Sequence, residues 1–145
     1  MLLHIVARGR IGRSPEAELV DRYARRLATG PIGPLRVTEL PDRGGVPPPP
    51  PSGASRSVVL DERGRPLSSA ELARVLERWR DDGVREARFL IGAADGHDEA
   101  SRDAADLLLG FGPMTWPHML ARAMLTEQLW RAASILSGHP YHREG

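Results

Sequence analysis

Three consecutive stretches decide the fold: Val58-Val-Leu60, Leu67-Ser-Ser-Ala-Glu-Leu-Ala-Arg-Val-Leu-Glu-Arg-Trp79 and Ala87-Arg-Phe-Leu-Ile91. In the middle one, Ser68 and Glu71 have the spacing of a capping box, and Leu67 and Leu72 occupy the two positions of a hydrophobic staple. Leu72, Val75, Leu76 and Trp79 then recur at i, i+3, i+4 and i+7, a single helical stripe, and Gly83 ends it. The outer two are short apolar runs and read as buried strands. The first stops at Asp61-Glu-Arg-Gly-Arg-Pro66, which reads as a turn. The unit is therefore strand, helix, strand.

The same alternation continues outward. Leu2 to Ala7 is an apolar run of strand length, and Arg8-Gly-Arg-Ile-Gly-Arg13 is a loop. Ser14 caps a helix whose first turn accepts Pro15, because the missing N–H has no partner there, while Glu16 and Glu18 complement its dipole. Leu19, Val20, Tyr23 and Leu27 fall at helical spacing up to Gly30-Pro31. Leu35 to Leu40 reads as a strand. Residues 41–57 contain five consecutive prolines, Pro47 to Pro51, cannot hold a helix, and read as an exposed polyproline-type surface connection rather than a docking peptide. Beyond Ile91 come a loop from Gly92 to Gly96, a helix capped by Asp98 and running to about Leu108, and the turn Gly110-Phe-Gly-Pro113. An extended piece, Met114 to Trp116, leads to a long Ala- and Leu-rich helix from about His118 to Ser137, stopped by Gly138. Alternating strands and helices predict a single α/β domain, residues 1–145, with a mainly parallel sheet flanked by helices and ligands at the carboxyl ends of its strands.

Composition sets limits. A chain of 145 residues suits one core, and 41% hydrophobic with 27% charged residues argues against disorder. No apolar run approaches the roughly 20 residues of a membrane span, and the start lacks the charged and apolar regions of a signal peptide, so a cytoplasmic protein is expected. Without Cys there are no disulfides or thiolate metal sites. Net charge is +1, and all 20 basic residues are Arg. Residues 1–30 hold six of them against Glu16, Glu18 and Asp21, a local balance of +3 that on charge alone reads as a solvated helix face before a nucleic-acid footprint.

Gly92-Ala-Ala-Asp-Gly96 follows a strand and opens a helix, where backbone N–H groups approach an anionic or nucleotide ligand. It lacks the spacing of dinucleotide and P-loop fingerprints, which disfavours both classes. By itself it reads as a structural turn. His139 and His142 have no third ligand nearby, so no metal is expected. His4 reads as a strand residue and His97 as a loop or cap residue. The absence of Cys and of a G-x-S-x-G elbow removes the commonest nucleophilic hydrolases.

The ending is more specific. Trp116-Pro-His-Met-Leu-Ala-Arg-Ala-Met-Leu-Thr-Glu-Gln-Leu-Trp-Arg-Ala132 and His139-Pro-Tyr-His-Arg-Glu144, together with Leu90-Ile-Gly-Ala-Ala-Asp-Gly96, resemble the RlmH (YbeA-like) family of the SPOUT superfamily. These are the methyltransferases of pseudouridine N3 in large-subunit ribosomal RNA. The resemblance covers nearly the whole chain in element order. It implies a C-terminal trefoil knot, a homodimer, S-adenosylmethionine as cofactor and 23S ribosomal RNA in the assembled ribosome as partner, with neither metal nor membrane. Carried onto matching positions, it places cofactor contacts at Leu60, at Gly92 and along Phe111, Gly112, Pro113, Met114, Thr115 and Trp116. It places catalysis on Tyr141, stacking on the base, on His142, accepting or relaying a proton, and on Arg143, anchoring a phosphate or stabilising imide charge. His118 and Arg122, one helical turn apart, face the site or fix the surrounding loop.

Two departures stand out. Ala93 occupies a position where the family usually has Gly, and the Pro-rich stretch stands where it usually has a helix. Two alternatives are weighed beside this reading: the same chemistry on another RNA such as transfer RNA, and a noncatalytic ribosome- or RNA-binding module.

Overall fold

In the computed structural model, which describes residues 1–92 and 97–143, Val37, Ile5, Phe89, Val58 and Leu107 form one row across a five-stranded sheet. The strands are β1 (Leu2–Arg8), β2 (Leu35–Leu40), β3 (Ser55–Arg65), β4 (Glu86–Ile91) and β5 (Leu107–Leu109). Their order is β2-β1-β4-β3-β5, and every neighbouring pair is parallel. The helices are α1 (Pro15–Arg26), extended by a 3-10 turn over Leu27–Thr29, α2 (Ser69–Asp81), α3 (Glu99–Ala104) and α4 (His118–Ser137). The caps follow the sequence. Ser14 accepts from the Ala17 N–H, Ser68 from the Glu71 N–H and Asp98 from the Ser101 N–H.

Side chains alternate along strands, so Leu3, Ile5 and Ala7 share one face with Ala87, Phe89 and Ile91. That face packs on Leu72, Leu76, Leu125 and Leu129 to make the core. The three longer helices lie together on it, with α4 between α1 and α2. The sheet is mainly parallel and flanked by helices, as expected, and the long helices gather on one face because of the β2–β3 connection. With β2 and β3 on opposite sides of β1 and β4, a right-handed crossover must run over the face opposite α1 and α2. Here that crossover is the segment 41–54, which contains the five prolines.

A run of five prolines at about 3.1 Å per residue reaches about 15 Å, matching three strand spacings of about 4.8 Å. Proline also has no N–H to leave unpaired against a sheet face. The strap is tied down by Arg88, which donates to the Pro48 carbonyl. Arg88 is itself paired with Glu86 at 2.8 Å, and Glu86 bonds His4 Nδ1 at 3.2 Å, while His4 Nε2 lies 2.7 Å from Thr38 Oγ1. This network is buried and satisfied. Burial holds His4 below its ordinary pKa despite the Glu86 carboxylate, so His4 stays neutral at pH 7.

Three local expectations are corrected. The Pro-rich connection ends at residue 54, since 55–57 already pair with β4. Helix α3 ends at Ala104, because Leu107–Leu109 are captured as an edge strand. Asp106 fixes that capture: its carboxylate accepts from the Ser57 N–H at 2.7 Å, and its own N–H donates to the Ser57 carbonyl at 2.9 Å. Met114–Trp116 is irregular rather than extended.

The polar stretch after Leu60 is not a simple turn but the continuation of β3. Pairing with β5 runs to Leu60–Leu109, skips, and resumes at Arg65–Leu109, leaving 61–64 as a bulge. At this bulge two backbones meet. A Cβ on Gly64 would lie 2.4 Å from the Leu109 carbonyl carbon and 2.6 Å from the Gly110 nitrogen, and one on Gly110 would lie 2.8 Å from the Gly64 carbonyl oxygen. The Gly110 N–H donates to the Arg65 carbonyl across the crossing. Because backbone rather than flexible side chain fills the space, Gly64→Ala should cost about 3 kcal/mol, within the usual range for overpacking. The melting midpoint should fall on the order of 10 °C. A thermal melt within 2 °C of the parent would contradict the crossing.

Candidate active site

The crossing holds the end of β3 against the segment that follows β5, and a cleft of about 620 Å³ opens beside it. Its walls come from four places. The β3 bulge gives Leu60 to Arg63, the end of β4 gives Ile91 and Gly92, the segment after β5 gives Phe111, Gly112 and Met114 to Pro117, and α4 gives His118 and Ala121. His97 and Arg102 close the side nearest α3. The position is the carboxyl end of a parallel sheet, where α/β proteins bind ligands, and the volume is ordinary for a ligand pocket. Gly112 has φ +96, a conformation that disfavours a side chain, and keeps the backbone of this segment turned. Thr115 Oγ1 donates to Glu62 Oε2 at 3.0 Å, tying that segment to the β3 bulge.

The structure thus brings Leu60, Gly92, Phe111, Gly112, Met114, Thr115 and Trp116 around one space. Pro113 lies within the segment but not on the cleft wall. Ala93 and the rest of the 93–96 turn lie outside the described residues.

Charge in the cleft is mixed. Burial pushes the Asp61 carboxyl up, but the Arg63 N–H at 2.8 Å, the Arg63 guanidinium and Arg102 together hold it below the usual carboxylate range. It is therefore ionised at neutral pH. Burial holds His97 below its ordinary value, against the opposing pull of Asp61. Apolar surface from Leu60, Ile91, Phe111, Met114 and Trp116 thus stands beside two carboxylates, Asp61 and Glu62, and two guanidiniums, Arg63 and Arg102.

Arg122, one helical turn past His118, is 1% exposed and does not line the cleft. It bonds Glu39 Oε2 at 2.6 Å and the Gly9 carbonyl at 3.2 Å, binding the ends of β1 and β2 to the start of α4. Although burial raises the Glu39 carboxyl, Arg122 and the Ile11 N–H hold it low. Arg122 is therefore an internal tie, whereas His118, on the cleft wall, faces the site.

Tyr141, His142 and Arg143 do not line this cleft. After Gly138 the chain folds back on α4. Tyr141 OH donates to Glu127 Oε1 at 3.0 Å, and its ring packs on Trp130, as does that of His139. Arg131 pairs with Glu127 at 2.5 Å and donates to His142 Nδ1 at 3.2 Å. Arg143 is exposed. Trp130 lies nine residues past Ala121, about 13 Å further along the helix axis. Because an Arg is always a donor, His142 Nδ1 is the acceptor and the ring proton sits on Nε2. Burial, followed by Tyr23 and Glu127, raises the Tyr141 phenol, so it remains a protonated donor. Glu127 and Arg131 organise this centre and were not singled out as site residues. Their i, i+4 spacing inside the Glu-Gln-Leu-Trp-Arg motif was the available signal.

The family described as "Predicted SPOUT methyltransferase" matches residues 1–142. This chain belongs to the SPOUT methyltransferases. It is 73% identical over 145 residues to the ribosomal RNA large subunit methyltransferase H of Novosphingobium aromaticivorans, with both chains covered completely. Identity is 67%, again over the full length of both, with the protein of that name from Rhizorhabdus wittichii, and 49% over 152 residues with that from Paramagnetospirillum magneticum, covering 99% of each. Within the superfamily the chain therefore belongs to the RlmH family.

Proposed function

We propose that this protein uses S-adenosylmethionine to methylate N3 of a pseudouridine in 23S ribosomal RNA, acting as a homodimer on assembled ribosomes. The observation that carries the reading is the cleft at the ends of β3, β4 and β5, where the positions matched to the family's cofactor contacts converge. Leu60, Ile91 and Phe111 supply apolar surface for an adenine, and Asp61 and Glu62 supply charge opposite to a sulfonium. When bound, S-adenosylmethionine supplies a methyl group already activated on sulfur, so the transfer requires no Lewis acid. The protein's task is to place an imide nitrogen in line and favour its deprotonated form.

The tail suits that task as a set of donors. Arg143 supplies an exposed guanidinium and Tyr141 an aromatic face, with His142 held beside Arg131, so the centre stabilises an imide anion and a phosphate rather than removing the proton itself. Loss of the imide proton then goes to water.

The separation of tail and cleft supports the dimer. Between them on α4 lies a second groove of about 660 Å³, with Leu19, Tyr23, Phe111, Leu120, Met124 and Glu127 among its lining residues. Phe111 and Gly112 belong to both depressions, while Glu127 also holds the tail. A second copy seated here covers the apolar face of α4 and brings its tail toward the neighbouring cleft. His139 and His142 serve Trp130 and Arg131 in this arrangement, and no metal is assigned to them. Among the described residues no helix is long and apolar enough to cross a membrane. A ribosomal substrate places the enzyme in the cytoplasm. We also assign the trefoil knot to the 110–118 segment, supported by its backbone crossing at Gly64; an experimental structure with this segment unthreaded would overturn the assignment.

Deleting residues 139–145 should leave S-adenosylmethionine binding within about threefold of the parent, because a few residues beyond the helix stop add little core, and abolish methyl transfer to ribosomes. A truncated protein with full activity would defeat the assignment. His142→Ala should slow single-turnover methylation roughly 10- to 150-fold at pH 7, the value of one lost hydrogen bond to a charged group. The loss should shrink as pH rises and the imide ionises unaided. A loss that stays constant with pH would contradict a role tied to the charge of the imide. For the dimer, Met124→Arg should shift sedimentation from dimer to monomer at micromolar concentration, and a monomeric parent protein would refute this interface.

A further inference from the structure

Among the described residues, two buried ring nitrogens on the cleft wall have no hydrogen-bond partner, Nε2 of His97 and Nδ1 of His118. Nε2 of His97 is buried and makes no hydrogen bond, and His97 lines the cleft beside Asp61 and Arg102. The other side of the ring is fixed. The Leu90 carbonyl favours a proton on the ring, and with Nε2 unpartnered we assign that proton to Nδ1, which leaves a lone pair on Nε2. The backbone is fixed too, since Arg102 donates to the His97 carbonyl and bridges to Asp61 at 3.6 Å. A buried acceptor held rigidly without a partner is uncommon, and where it occurs on the wall of a ligand cleft it is satisfied by the ligand.

We propose that His97 is a cofactor-binding residue whose neutral Nε2 accepts a hydrogen bond from a hydroxyl, amino or ammonium group of S-adenosylmethionine, so that cofactor affinity carries a histidine titration. The proposal rests on the cofactor reading of the cleft and adds a residue outside the positions carried by the family resemblance. Protonating Nε2 removes the acceptor and sets an imidazolium beside a sulfonium, so both effects oppose binding.

The charged groups around the ring set the window. Asp61 and Arg63 face it from β3, Asp98 and Arg102 from α3, and Glu62 and His118 share the cleft. Burial is the largest influence on His97 and keeps it below its ordinary value near 6.5, so the ring is neutral at pH 7. Asp61 and Asp98 are both held below the usual carboxylate range. They remain ionised as pH falls from 7.5 to 5. Affinity is therefore full near neutrality and declines as pH drops through the His97 value. Substitution at His97 separates its contribution from that of His118, which shares the cleft.

The test is calorimetric titration of the full-length protein with S-adenosylmethionine between pH 5 and 7.5. Parent affinity should fall toward the acid end. His97→Leu should bind roughly fivefold to tenfold more weakly at pH 7.5, the loss expected for one neutral hydrogen bond, and should vary less with pH. His97→Gln, which keeps an acceptor but cannot titrate, should bind close to the parent at pH 7.5 without the acid decline, and carries the test if the Leu variant does not fold. A His97→Leu protein with parental affinity and pH profile overturns the proposal while leaving the cofactor reading intact. A parent protein that binds no S-adenosylmethionine overturns both.

Discussion

The backbone crossing of Gly64 over Leu109 and Gly110 is the constraint on which the rest depends. Two main chains approach there to a separation that admits no side chain on either glycine. Because the crossing pins the β3 bulge to the segment leaving β5, Asp61 and Glu62 lie beside Phe111–Trp116 on the cleft wall. Thr115 then bonds Glu62, and the segment enters α4 at a fixed place. Without the crossing, the residues on the cleft wall would sit on independent loops, each free to move relative to the others.

Two buried polar ties brace this arrangement from opposite faces. Arg122 joins the ends of β1 and β2 to the first turns of α4 through Gly9 and Glu39. On the other face Arg88 holds the proline strap, and the Glu86–His4–Thr38 chain satisfies what would otherwise be buried charge. Removing one member of such a network strands its partners, which is more costly than the net value of any single bond suggests. The strap also explains how the chain dispenses with a helix between β2 and β3. Prolines cross a sheet face without exposing unpaired donors.

Elements with local signals were legible in the sequence. The caps at Ser14 and Ser68 and the boundaries of α4 depend on neighbours a few residues away, and they fall where spacing puts them. Long-range pairing was not legible. Leu107–Leu109 continue a helical composition and become a strand only because Asp106 docks on Ser57, 49 positions earlier. Asp61–Arg65 have the composition of a turn and become strand because Gly110 lies against Gly64. For the cleft, the family resemblance put Leu60, Gly92 and Phe111–Trp116 together, in keeping with ligands meeting strand ends, but no periodicity reveals that Pro113 lies off the wall. The tail illustrates the same limit: its chemistry was legible, while its docking on Glu127 and Arg131, away from its own cleft, is a tertiary fact.

The account joins a cofactor cleft at the sheet's edge, an apolar face on α4 and a tail of donors into one methyl-transferring unit. Its central claim is the identity of the acceptor atom. The most direct test is transfer of tritiated methyl from S-adenosylmethionine to ribosomes lacking the modification, followed by digestion of the RNA and mapping of the label. The account predicts label on N3 of a pseudouridine in 23S ribosomal RNA and none on transfer RNA. Label on transfer RNA, on another nucleoside, or on neither RNA with active controls would contradict it.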